Sequence, residues 1–179
     1  MFQEAQYSYL HQLQQKFDAS GLETQLFDPD EEISSHVLLI RFPLVNRKYR
    51  SQFDLQLNFI PPEGAEEPNF LNLQFFSSLD EDLLPEQGQK LPKLILAINP
   101  VLPAGQFGLL NQDQELFFKH TALIHAQSDA SNNIAILYAQ MMLIVKVMTD
   151  FADMLLAVAY GKASINEALQ ASTYAEFLV

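Results

Sequence analysis

The chain contains no cysteine, which removes disulfides, thiolate zinc sites and cysteine catalysis together. It is short of positive charge. Ten lysines and arginines stand against 22 acidic residues among 179, a net charge of −12. Binders of nucleic acid carry the opposite, basic footprint, so no nucleic-acid partner is expected. The N-terminal MFQEAQYSYLHQ has neither the basic region nor the apolar region of a secretory signal, and a cytoplasmic protein is expected. No HExxH and no GxSxG occur, and Gly105-Gln106-Phe107-Gly108 lacks the lysine and spacing of a phosphate loop. Internal repeats and long linkers are also missing, so the expectation is a single domain over residues 1–179.

The chain does have apolar mass, 49% hydrophobic against 18% charged residues, enough for a real core. Phe2, Ala5, Tyr9, Leu13 and Phe17 fall near helical spacing, with Ser20-Gly21 as the stop. A short alternation at Leu22, Thr24 and Leu26 follows, then an acidic turn. His36 to Phe42 is apolar on both faces, which suits a central, covered strand. Phe53, Leu55, Leu57 and Phe59 alternate with polar residues, as do Leu71, Leu73 and Phe75. These segments predict an antiparallel meander with one apolar face. The segment from Leu79 to Gly88 reads as acidic and turn-like. Leu91 to Ile98 predicts a short helix ended by Asn99-Pro100, and Gln106–Leu110 with Leu116–Ile124 predicts a hairpin.

The last third is a long helix from Ile134 to Tyr160, closed by Gly161, then a short helix from Ser164 with the Ser164/Glu167 capping-box pattern. The long helix approaches a membrane span in length. Lys146, Thr149, Asp150 and Asp153 interrupt it in one narrow polar stripe, and charges at mid-bilayer are costly, so no membrane span is expected. Well over half of its circumference is nonetheless apolar, more than a helix on one sheet face requires. The N-terminal helix and the Leu91–Ile98 helix can take some of that surplus, and what remains predicts burial against a second copy of the chain, an obligate, core-like homodimer interface. Met141, Met142, Met148 and Met154 all lie here. Methionine fills core gaps, and it also suits an adaptable contact surface, for which Met142 and Met148 are the candidates.

The fold class is therefore α+β: an antiparallel sheet of about five to six strands with an N-terminal helix, a short middle helix and a long C-terminal helix. That order resembles the type III secretion chaperone-like fold, including the YbjN-like group. The residues carrying the resemblance are Ile98-Asn99-Pro100-Val101-Leu102-Pro103-Ala104-Gly105-Gln106-Phe107-Gly108-Leu109, the hairpin segment Leu116-Phe117-Phe118, and the helix closing at Ala159-Tyr160-Gly161. The resemblance implies a homodimer that binds a segment of a client protein and catalyses nothing. It carries over no individual binding residue.

Chemistry has few candidates. The histidines His11, His36, His120 and His125 have no metal-ligand spacing, and His120 and His125 have opposite parity on one strand. Asp150 and Asp153 are neighbours on one helix face, with Lys146 placed to neutralise one of them. The pair reads as a solvated stripe, or as an acid/base pair or Mg²⁺ ligands. Arg41, Arg47, Lys48 and Arg50 gather four of the ten positive charges at one turn. Such an island suits an acidic partner segment or an anion, or it is a solvated hairpin that offsets the acidic bulk. The leading expectation is a non-enzymatic, chaperone-like or adaptor protein without cofactor or metal. The alternative is a small-molecule or anion-binding regulatory module built on the Arg41–Arg50 region.

Overall fold

Residues 2–31, 33–44, 48–49, 51–60, 69–80, 83–110, 112, 114–126 and 130–171 are described by a computed structural model. The elements run α1 (Phe2–Ala19), β1 (Glu23–Phe27), β2 (Val37–Pro43), β3 (Gln52–Ile60), β4 (Phe70–Asp80), α2 (Pro85–Gly88), α3 (Pro92–Ile98), a single 3-10 turn at Asn99–Val101, β5 (Gln106–Leu110), β6 (Glu115–His125), α4 (Ala130–Ala159) and α5 (Ile165–Ala171). The strands form one antiparallel sheet in the order β1-β2-β3-β4-β6-β5. The predicted α+β class and its element order are those of the structure.

Two compact units can be distinguished, each assembled from three separate stretches of chain. The first comprises Met1–Phe42, Asp54–Phe76 and His120–Met142. In it α1 buries Tyr9, Leu10, Leu13 and Phe17, the stripe that helical spacing requires. The inward residues of the strands alternate as the pleat demands: Leu38 and Ile40, then Leu55, Leu57 and Phe59, then Leu71, Leu73 and Phe75. Phe17 stacks on Tyr138 of α4 with ring centroids 5.3 Å apart. The buried Asn133 donates to the Tyr9 hydroxyl at 2.9 Å and to the His125 carbonyl at 3.2 Å. A buried amide left unpaired would cost about 1–3 kcal/mol, so these bonds fix how α4 enters the unit.

The second unit comprises Pro43–Phe53, Ser77–Lys119 and Leu143–Val179. Phe107, Phe118 and Phe151 are buried together, with centroids 5.3 Å apart for Phe107–Phe118 and 6.4 Å for Phe107–Phe151. Gly105 has φ +69°, and a Cβ there would fall on the Phe118 ring and 2.8 Å from the Lys119 carbonyl oxygen. The glycine is a packing requirement. Asn99 uses its side chain as a strand would use its backbone. Its Nδ2 donates to the Phe107 carbonyl at 3.0 Å, and its Oδ1 accepts the Phe107 N–H at 2.9 Å. That amide pairs with an edge strand whose polar groups would otherwise be open.

Three expectations change. β4 runs through Asp80 where a turn from Leu79 was expected, because Phe75, Ser77 and Leu79 keep the inward alternation and are all buried. β2 is second from the edge, not fully covered. Leu38, Ile40 and Phe42 are buried while Val37, Leu39 and Arg41 are half-exposed. The apolar surplus of α4 is much smaller than the sequence implied. Ile134, Leu137, Met141, Ile144, Val147, Met148, Phe151, Leu155, Leu156 and Val158 are all buried by the chain itself. The neighbours come from different stretches of sequence: α1 along the first turns of α4 and β5 along the later ones.

Candidate interaction site

The basic turn is less available than its sequence suggests. Arg41 grips Asp54 as a fork, Nε to Oδ1 at 2.9 Å and Nη2 to Oδ2 at 3.1 Å, and its Nη1 donates to Glu23 Oε1 at 2.9 Å. The register explains the meeting, since Glu23 stands opposite Arg41 in the β1–β2 ladder. The hydrogen bond to Asp54, then the charges of Asp54 and Glu23, raise the guanidinium pKa above its ordinary value. One cation between two carboxylates leaves a local excess of negative charge, so Arg41 is no anion receptor. Lys48 is exposed, with its ammonium 5.5 Å from the Tyr49 ring centroid. Arg47 and Arg50 lie outside the described residues.

Both carboxylates of the α4 stripe have partners of their own. Lys146 donates to Asp150 at 2.7 Å across one helical turn. Asp153 accepts the backbone N–H groups of Lys48 at 2.9 Å and Tyr49 at 3.5 Å. Asp153 is thus a clamp on the β2–β3 turn, a role that nothing in its helical spacing signals. Next to it Tyr49 packs on Tyr160 with centroids 5.8 Å apart, and the Tyr160 hydroxyl donates to Asp80.

The two candidate methionines separate. Met148 is fully buried, whereas Met142 is 47% exposed. Around Met142 the solvent side of α4's first half carries Ala135, Ile136 and Ala139, with Ile136 56% exposed. The same solvent-facing row continues into Lys146, Thr149, Asp150 and Asp153, so the helix face is apolar at its start and polar at its end.

The histidines take ordinary places. His120 packs on Phe75 at 5.8 Å and His125 on Phe70 at 5.0 Å, on opposite faces as their parity requires. Burial pushes the His120 imidazole below its usual pKa of 6.5. Among the described residues no group of three or more His, Asp or Glu side chains is arranged to hold a metal ion. No helix among them is long and apolar enough to cross a membrane.

One feature of the second unit escaped the sequence. A cavity of about 520 Å³ opens between the α2–α3 segment and the α4–α5 corner, lined by residues that include Lys90, Pro92, Lys93, Val158 and Ile165. Nearly seventy positions separate its two sides in the chain, and no local spacing reveals such a meeting. The cavity carries two cations and no carboxylate among its lining residues. Comparison of the chain with protein-family models, with curated proteins and with solved structures finds no match.

Proposed function

We propose that this protein is a non-enzymatic, chaperone-like adaptor that pairs with a second copy of itself through the first half of α4 and holds a segment of a partner protein. The observation that carries the reading is the exposed row Ala135, Ile136, Ala139 and Met142 on an otherwise well-buried helix. The row suits a two-fold axis through Ala139. Two antiparallel copies then set Ile136 of each against Met142 of the other, with small alanines allowing close approach. Unlike charges do not have to be buried, because the charged stripe begins only at Lys146. The element order from which the resemblance to secretion-chaperone-like proteins was drawn supports the same reading, and the committed ion pairs of Arg41 take support away from an anion site at the basic turn.

The row is narrow, so the association expected is weak, with a dissociation constant of order micromolar. Light scattering from low to high micromolar concentration should show the mass rising from one chain to two. The double variant Ile136→Glu, Met142→Glu should stay at one chain with unchanged circular dichroism. A mass of one chain for the native protein at every concentration overturns the proposal.

A further inference from the structure

The cavity beside α5 has the composition of a site for a small organic anion with an apolar body. Its lining joins an apolar wall to two lysines, with no carboxylate among the lining residues. The volume of about 520 Å³ lies within the range of ordinary ligand pockets. Pro92, Val158, Ala163 and Ile165 supply apolar wall, and Gln89 and Ser164 add neutral polar groups. In a chain with 22 acidic residues and 10 basic ones, two lysines without a lining carboxylate invert the local sign.

The carboxylate of Glu167, at the start of α5, is already engaged. The Glu167 carboxylate accepts the Ser164 backbone N–H at 2.7 Å, and the Ser164 hydroxyl accepts the Glu167 N–H at 3.2 Å. This closed capping box occupies the start of α5 and holds Glu167 below the usual carboxylate range. Lys90 reaches the last turn of α4, its Nζ 3.5 Å from the Ala159 carbonyl oxygen. A cation there complements the negative end of a long helix and is anchored at the cavity's edge. Gly161 turns the chain here at φ +65°, a backbone conformation that favours glycine. Lys93 is exposed and stays available.

The geometry points to a binding site for a monocarboxylate with a short aliphatic body, its charge between Lys93 and Lys90 and its chain against Pro92, Val158 and Ile165. The apolar wall of Pro92, Val158, Ala163 and Ile165, which inorganic phosphate cannot use, selects a carboxylate with an aliphatic body over a bare phosphate. This site is independent of any pairing through α4.

Octanoate, 1-octanol and inorganic phosphate serve as probes in calorimetric titration of the full chain, with amide chemical shifts locating the site. Octanoate is expected to bind and to shift the amides of residues 89–91, 93 and 158–165. Lys93→Gln should weaken it about tenfold, the scale of one lost charged hydrogen bond, and Lys90→Gln should weaken it further. Octanol and phosphate should each bind much more weakly, since each offers half of the recognition. Lys93 is exposed, so its variant should fold normally. Absence of octanoate binding, equal binding by octanol, equal affinity in Lys93→Gln, or shifts elsewhere in the chain each overturns the site.

Discussion

Met142 and Met148 occupy one helix and do opposite things. Met148 fills core, and truncation to alanine should cost about 2–5 kcal/mol through lost burial and the cavity left behind. Met142→Ala should stay within about 0.5 kcal/mol in chemical denaturation, because solvent already reaches the side chain. Equal costs for the two would contradict their burial. Gly105→Ala should be severe, above about 2 kcal/mol, because positive φ and the Phe118 ring both oppose a Cβ. His120 makes a prediction in pH. Its folded pKa lies below the unfolded 6.5, so the unfolded state takes up its proton first and contributes most against folding in acid. Stability should fall as pH drops through about 6.5 toward the lower folded pKa, and His120→Gln should flatten that slope in urea titrations. A slope unchanged in the variant would remove His120 from the account.

At the scale of elements, long-range clamps complement the local signals. Strand alternation at Phe53–Phe59 and Leu71–Phe75, the Gly161 stop and the Ser164/Glu167 capping box were all legible, because each is set by neighbours a few residues away. The Asp153 clamp was not, since its partners at 48 and 49 are distant in sequence. Asp153→Asn should speed hydrogen exchange at the Lys48 and Tyr49 amides with little change in global unfolding. Exchange as slow as in the native chain would show that the carboxylate does not hold the turn. Asn99→Ala should cost about 1–3 kcal/mol, because it orphans both the N–H and the carbonyl of Phe107. The variant's denaturant midpoint measures this directly.

At the scale of the whole molecule, the question is how much apolar surface the chain hides without help. The exposed remainder of α4 is smaller than its apolar length implies, because β5 packs along the helix as well as α1. Phe17 and Phe107 lie more than a hundred and about forty residues from their contacts on that helix, respectively. The exposed remainder is a short row, which is why the self-association proposed is weak and concentration-dependent. The basic turn changed for a similar reason. Arg41 reads as a free cation in its own segment and becomes a neutralised one only when β1 and β3 bring Glu23 and Asp54 to it. The sequence by itself determined the element order, the parity of the β3 and β4 segments and the helix stops, because pleat, helical period and caps act over a few residues. Tertiary structure alone decided which cations remain free, which methionine faces solvent and where Lys90 and Lys93 meet Val158 and Ile165, because burial and Coulomb energy depend on distance in space and not along the chain.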